Sequence, residues 1–241
     1  IYARHILSAN PDARVGVLFQ NDVLGQTFLH AMREGLGPEH AAMIVKDASY
    51  EVAEPTVDSQ IVSLQSAGAD TLIIAATPKA AAQTIRKAFD IGWAPERYLF
   101  NGSSSIAGTL KPAGLEQSKG VITATYGKDP TDPRWKDDPG YKEWAAFVSK
   151  YLTPAQLGDA NSLYGFSTAS IIVHVLKQCG EDLSRENIMR QATNIKNLEL
   201  PMGLPGARIN TSSDNYYPYR QMQLSRFNGE SWELFGDLLS D

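Results

Sequence analysis

The chain has 241 residues, of which 43% are hydrophobic and 20% charged, and its formal net charge is −5. This composition is ordinary for a folded globular protein, and at about 150 residues per domain the length allows one large domain or two modest ones. Lys and Arg form no cluster, which argues against nucleic acid or an anionic membrane surface as the main partner. Because no apolar run approaches about 18 residues, the sequence predicts no membrane span.

The first residues of the chain and its single cysteine exclude further classes of protein. The first residues carry neither a basic segment nor an apolar stretch of a secretion signal, so we expect a mature chain or a fragment. Cys179 is the only cysteine, which rules out an intrachain disulfide and a cysteine-based metal site.

The first half of the chain alternates strand and helix patterns. Short apolar runs predict strands at 14–20, 42–50, 71–76, 97–101 and 120–126. Between them, apolar residues recur at helical spacing, with Pro55 placed just inside one helix and Thr77 as the N-cap of another. Strands that alternate with helices of this length indicate an α/β fold with an open, mainly parallel sheet.

The second half has a different character. Residues 128–140 contain three prolines and predict an extended connector, and helices are predicted at 141–151, 162–179 and 185–195. Near the end, Asn228 and Gly229 stand between alternating residues, which predicts a hairpin with a type I′ turn. Since a helix buries its apolar stripe on another element, the helices within 128–200 lack a sheet to cover.

The predicted sheet also locates a binding site. Ligands of open α/β sheets lie beyond the carboxyl ends of the strands. The side chains at these ends are hydroxyls, amides and phenols with one carboxylate, which suit hydrogen bonding to a small polar or aromatic solute. They belong to Asn21, Asp22, Tyr50, Thr77, Ser103, Ser104 and Tyr126.

Each of these candidates has a structural alternative. Asp22, Thr77 and the pair Ser103 and Ser104 could do no more than cap the helices that follow them, and the two tyrosines could be packing residues. Lys79 lies in a first helical turn, where the helix dipole disfavours a cation. Either solvent screens this charge, or Lys79 faces an anionic ligand.

No set of residues suited to catalysis is present. The chain lacks GxGxxG, Walker A, GxSxG and HExxH motifs, and its four histidines are scattered. The aspartates at 129–138 do not have the spacing of an EF-hand, so they predict a solvated connector rather than a metal loop. We therefore expect a binding protein with no cofactor and no metal, not an enzyme.

Five segments carry a resemblance to a known family: RVGVLFQNDVLGQTF, ASYEVAEPTVDSQIVSLQSAGAD, ATPKAAAQTIRKAFDIGW, LKPAGLEQSKGVITATYGKDPTDPRWKDDPG and RQMQLSRFNGESWELFG. Together they resemble the ABC-transporter solute-binding proteins of the leucine/isoleucine/valine-binding type, over essentially the whole chain. That family has two α/β lobes joined by three crossing strands, with the ligand in the cleft between the lobes.

The resemblance implies a type I periplasmic-binding-protein fold. It assigns residues 1–127 and 204–241 to lobe two, and residues 128–203 to the connector and the returning helices of lobe one. In this assignment the N-terminal part of lobe one lies upstream of the chain, so lobe one is incomplete. The uncovered helix faces then predict self-association of the chain, because large apolar patches seldom stay exposed.

The resemblance also implies a function. It points to the periplasmic component of an ABC importer, whose partners are a small-molecule solute and an ABC permease in the inner membrane. A ligand-sensing receptor module of the same fold is the alternative. Ligand contacts are implied at Leu24, Thr77 and Ser103, and at Asn161 from the lobe-one side.

The same comparison bears on the solute. Amino-acid-binding members carry an aromatic residue at the position of Leu24 and an acidic residue near Ser103, which receives the ligand ammonium. This chain has neither, which favours an aromatic or aliphatic carboxylate over a free α-amino acid.

Overall fold

The computed structural model describes residues 1–240. These residues form nine α-helices: α1 Tyr2–Ala9, α2 Val23–Leu36, α3 Asp58–Ser66, α4 Pro78–Asp90, α5 Lys111–Ala113, α6 Leu115–Ser118, α7 Pro139–Tyr151, α8 Ala160–Cys179 and α9 Arg185–Ala192. They also form seven strands: β1 Val15–Gln20, β2 Ile44–Tyr50, β3 Thr71–Ala75, β4 Glu96–Leu99, β5 Ile122–Thr125, β6 Gln221–Phe227 and β7 Trp232–Ser240.

The seven strands form one sheet in the order β2-β1-β3-β4-β5-β6-β7. Strands β1 to β5 pair with one another in parallel, and Gln20 at the end of β1 pairs in register with Tyr50 at the end of β2. Every residue of β1 and β3 is buried, as expected for central parallel strands. The predicted α/β class with an open, mainly parallel sheet flanked by helices is confirmed.

The chain divides into two compact units. Unit 1 comprises Ile1–Ala124 and Leu224–Phe235, and its apolar core includes Leu18, Ile74 and Ile85. Unit 2 comprises Thr125–Gln223 and the residues from Gly236. The assignment of residues 128–203 to lobe one stays a prediction.

Unit 2 has two small apolar clusters rather than one large core. One centres on Trp144, whose indole N–H donates to the carbonyl of Leu157 at 2.9 Å, and the other includes Val175 and Ile209. Helix α8 packs one face on these clusters and leaves a second apolar face in solvent. This exposed face consists of Ile172, Val173 and Leu176, which are 54%, 48% and 39% exposed.

The connector is more closely packed than the sequence indicates. Lys128 is buried, and its ammonium donates to Asp138 at 2.7 Å and to the carbonyl of Pro201 at 3.0 Å. Burial alone raises the pKa of Asp138, but hydrogen bonds from Lys128, Tyr141 and Gly140 outweigh it and hold that pKa below its ordinary value. The prediction of a solvated connector is therefore wrong for these residues, because their charges are paired.

Three local expectations differ from the structure. Helix α1 precedes β1 where no helix was predicted, and α3 begins at Asp58, after Pro55 rather than around it. The hairpin turn is not type I′, since Asn228 does not have a positive φ. Instead the N–H of Asn228 donates to Ser231, Gly229 adopts φ 111°, and the Asn228 side chain accepts from Glu230 and Ser231.

Candidate functional site

The carboxyl ends of β1, β2 and β3 bring three predicted site residues together. Gln20 is buried at the end of β1, although its side chain is polar and every other residue of that strand is apolar or glycine. A buried amide needs partners for its hydrogen-bonding atoms. Gln20 finds them in Tyr50 and Asp22, so it connects two residues that the strand-end rule selected.

Tyr50 is the centre of this arrangement. Its hydroxyl donates to Oε1 of Gln20 at 3.1 Å and accepts the backbone N–H of Thr77 at 3.0 Å. The hydroxyl of Thr77 lies 3.1 Å from the same oxygen. Tyr50 is therefore a buried packing residue, which is the structural alternative considered for it from the sequence. It also fixes the position of Thr77.

Asp22 has a structural task at this edge. It is the N-cap of α2, accepting the N–H of Gly25 at 2.9 Å, and its second oxygen accepts from Nε2 of Gln20. Beside it, the amide of Asn21 donates to Glu51 at 2.5 Å. Both carboxylates of this edge are thus engaged with neutral donors of the chain.

Thr77 and Lys79 lie at the start of α4. Thr77 is the N-cap residue by position, but its side chain does not cap the helix, contrary to the capping interpretation. Its hydroxyl turns towards Tyr50 instead, and the residue stays partly exposed. Lys79 is exposed, and within residues 1–240 it has no hydrogen bond or ion pair with another side chain.

Ser103 and Ser104 hold the loop that follows β4. Ser103 is 1% exposed and donates its hydroxyl to the carbonyl of Ala76 at 2.6 Å, while Ser104 donates to Asn101 at 2.7 Å. The indole of Trp232 donates to the carbonyl of Ser104 at 2.9 Å. Neither serine caps the short helical segment Ile106–Leu110 that follows, contrary to the capping interpretation, because Ser105 is its N-cap. Their ligand contacts stay predictions.

An apolar rim adjoins the polar strand ends. Leu24, a predicted ligand contact, is 48% exposed in the first turn of α2, next to Val23 at 84%. Val52 follows β2 at the same edge of the sheet and is 68% exposed. Exposed aliphatic side chains beside polar groups are typical of binding sites for partly apolar solutes.

The two remaining candidates belong to unit 2. Tyr126 stacks on Tyr219 with ring centroids 4.1 Å apart, and both residues line a shallow, open depression. Burial raises the pKa of Tyr126, and the neighbouring phenols of Tyr219 and Tyr164 raise it further. Asn161 lies exposed in the first turn of α8, which Asp159 caps. Their ligand roles also stay predictions.

The described part of the chain contains neither a candidate metal site nor a candidate membrane-spanning helix. Among residues 1–240, His, Cys, Asp and Glu side chains nowhere gather in threes suited to a metal ion. No helix within this range has the length and apolar character required to traverse a bilayer. The surface at the carboxyl ends of β1, β2 and β3, called the strand-end surface below, offers hydrogen bonds, the exposed cation of Lys79 and an apolar rim. This combination is suited to holding a small anion with an apolar part.

Comparisons with known proteins agree with this description. A family model described as periplasmic binding protein matches residues 2–230. Comparison with curated protein sequences finds no match.

Solved structures share the fold at low sequence identity. A substrate-binding periplasmic protein from Ralstonia solanacearum is 19% identical, with a TM-score of 0.80, and the match covers 97% of this chain and 64% of that chain. A branched chain amino acid ABC transporter from Thermus thermophilus with bound valine is 14% identical, with a TM-score of 0.84 and coverages of 100% and 64%. A possible leucine/isoleucine/valine-binding protein from Rhodopirellula baltica is 16% identical, with a TM-score of 0.75 and coverages of 99% and 64%.

This chain therefore spans 64% of the length of each of these three proteins. The matches confirm the type I periplasmic-binding-protein fold and the resemblance drawn from the sequence. The chain belongs to the periplasmic binding protein family, a class of proteins that bind solutes and do not catalyse reactions.

Proposed function

We propose that the chain is part of the solute-binding component of an ABC importer, working in the periplasm with an inner-membrane permease. Its strand-end surface in unit 1 forms one wall of a site for a small carboxylate. The observation that carries this proposal is the environment of Lys79, which is exposed at the start of α4 and has no ion-pair partner among residues 1–240. An anionic ligand supplies the partner that these residues do not.

The distribution of charge at this edge supports a carboxylate. Asp22 accepts hydrogen bonds from Gly25 and Gln20, and Glu51 accepts from Asn21, so both acids already have neutral donors. An amino-acid ammonium would need a free carboxylate to receive it. The apolar rim of Val23, Leu24 and Val52 suits the aliphatic or aromatic part of the ligand.

The exposed face of α8 supports the proposed assignment of residues 128–203 to lobe one. The exposed apolar face of α8 has the composition of a buried surface, and apolar faces of this kind mark contacts with other elements. We propose that this face belongs to lobe one and packs on the rest of that lobe in the whole protein. In its absence we expect the chain to self-associate, which light scattering at rising concentration measures. A strictly monomeric chain at high concentration contradicts this part of the proposal.

The binding proposal is tested by an NMR titration of the 241-residue chain with benzoate, 3-methylbutanoate and L-valine. Weak binding is expected, because one wall alone holds the ligand. The two carboxylates should shift the backbone amides of Lys79 and Ala80 in a saturable way, and L-valine should shift them less. The absence of saturable shifts at these amides, or shifts confined to another surface, would overturn the site.

A receptor of the same fold remains the alternative function. One solved structure with a TM-score of 0.73 and 18% identity is described as an extracellular ligand-binding receptor from Rhodopseudomonas palustris. Ligand-dependent co-purification with a membrane permease supports the importer, whereas co-purification with a signalling protein instead supports the receptor.

A further inference from the structure

The hydrogen bonds at the strand ends run in one direction, and Asp22 sets that direction. A carboxylate accepts hydrogen bonds and cannot donate them. The Gln20 atom that faces Asp22 must therefore be the amide nitrogen, Nε2. The other amide atom, Oε1, then faces Tyr50, and an amide oxygen only accepts.

Tyr50 is consequently committed as well. A phenol has one proton, and Tyr50 gives it to Oε1 of Gln20 at 3.1 Å. The phenol oxygen accepts the N–H of Thr77 at 3.0 Å, and its remaining lone pair faces the Thr77 hydroxyl at 3.1 Å. Because Tyr50 has no second proton to give, the proton in that last contact comes from Thr77.

We infer that Thr77 faces the ligand only as a hydrogen-bond acceptor, and that Tyr50, through Gln20 and Asp22, is the positioning residue that imposes this polarity. The Thr77 hydroxyl proton is engaged within the chain, while the residue stays partly exposed. A ligand group that contacts its oxygen must therefore carry an N–H or O–H.

This polarity narrows the ligand class, a step that rests on the proposed carboxylate site. Lys79 favours an anionic group on the ligand, and Thr77 requires a hydrogen-bond donor on the same ligand. A neutral hydroxyl suits the neutral Thr77 oxygen, whereas an ammonium leaves a charge without a carboxylate partner. The geometry thus favours a hydroxy acid over the corresponding oxo acid or amino acid.

The proton order is tested directly by neutron diffraction from deuterated crystals of the 241-residue chain. Deuterium is expected on Tyr50 Oη, directed at Gln20 Oε1, and on Thr77 Oγ1, directed at Tyr50 Oη. A Tyr50 deuterium directed at Thr77 would overturn the inference whether or not any ligand binds.

The ligand preference is tested with a matched pair of probes, 2-hydroxy-3-methylbutanoate and 3-methyl-2-oxobutanoate, by NMR titration. The hydroxy acid should bind more tightly, by about threefold to tenfold for one hydrogen bond. In Tyr50→Phe the Thr77 hydroxyl is free to rotate and can donate, so the preference should shrink towards one. Thr77→Val should abolish the preference as well, since it removes the acceptor and keeps the shape of the side chain.

Tyr98→Phe is the control, because it removes another tyrosine hydroxyl of unit 1 that lies outside this network. This variant should keep the preference for the hydroxy acid over the oxo acid. Circular dichroism confirms that each variant is folded. A preference for the oxo acid in the parent chain, or an unchanged preference in a folded Tyr50→Phe, contradicts the inference. Binding of neither acid contradicts the carboxylate site and the hydroxy-acid class, while the neutron map still decides the proton order.

Discussion

His5 donates a hydrogen bond from Nδ1 to the hydroxyl of Tyr98, 2.7 Å away. The direction follows from Glu96, whose carboxylate accepts the Tyr98 proton at 2.8 Å, so the ring nitrogen must supply the other hydrogen. Phe235 covers the imidazole edge-on, with ring centroids 5.6 Å apart. Burial lowers the pKa of His5; the charge of Glu96 opposes this shift and that of Arg226 adds to it.

The lowered pKa of His5 predicts that unit 1 becomes less stable in mild acid. An unfolded histidine takes up a proton near its ordinary pKa of about 6.5, and the folded chain takes it up at lower pH. Between the two pKa values the unfolded state binds more protons, so stability falls as the pH drops through this window and then levels off. Urea unfolding at intervals from pH 7.5 to 5 measures the effect.

His5→Asn provides the control for this pH dependence. Its amide nitrogen lies at the same distance from Cβ as Nδ1, can still donate to Tyr98 and does not titrate, so the stability of this variant should lack the step. If the step persists in His5→Asn, another group is responsible for it.

A pair of glycines predicts stability changes of opposite sign in unit 2. A Cβ at Gly140 would lie 1.7 Å from the carbonyl oxygen of Pro201, whereas a Cβ at Gly165 would meet nothing within 4 Å. Gly140→Ala should therefore destabilise the chain by about 1–3 kcal/mol or more, because backbone must move. Gly165→Ala, within α8, should stabilise it by about 0.5–1 kcal/mol. Urea unfolding tests both, and equal effects would contradict the packing at Gly140.

Tyr219 predicts a gain in stability on losing a polar group. Its hydroxyl is buried and has no hydrogen-bond partner among residues 1–240. Burying an unpaired hydroxyl is unfavourable, so Tyr219→Phe should raise the free energy of unfolding by about 1 kcal/mol. Tyr50→Phe removes a hydroxyl with three hydrogen-bond contacts and should lower it. A loss of stability in Tyr219→Phe would show that its hydroxyl is bonded in solution.

Lys79 predicts the electrostatic part of ligand binding. Lys79→Ala should weaken the binding of benzoate to the 241-residue chain by about twofold to fivefold, since an exposed ion pair contributes about 0.2–1 kcal/mol. Lys46→Ala is the matched control, because Lys46 is an exposed lysine in β2 and its removal should leave affinity unchanged. Equal affinity of Lys79→Ala and the parent chain would remove the main support for an anionic ligand.

Much of the fold could be predicted from the sequence because its strands are short apolar runs separated by helix caps. The segment 71–76 differs by one residue from β3, and Thr77 stands at the predicted helix boundary. Helix α1 could not be predicted in the same way. Its buried residues Tyr2, Ala3 and Ile6 span little more than one turn, which is too short for a reliable periodic pattern.

The site was predicted as a set of positions but not as a network. The strand-end rule selects Tyr50 and Thr77, yet their contact depends on the register of parallel strands, which sequence spacing does not specify. Gln20 was missed, although a polar residue closing an apolar strand was a usable signal. The turn at Asn228 was assigned the wrong type because the Asn side chain bonds the backbone of Glu230 and Ser231, which stabilises a different pair of central residues.

The ultraviolet absorbance of the buried tyrosines reports on whether each unit is folded. Burial raises the pKa of Tyr2 and of Tyr219 to about 12, from an ordinary 10.0, and raises those of Tyr98 and Tyr126 as well. Tyr2 and Tyr98 lie in unit 1, and Tyr126 and Tyr219 lie in unit 2. Phenolate absorbance in alkaline solution should therefore rise in two stages, with two of the delayed chromophores reporting on each unit.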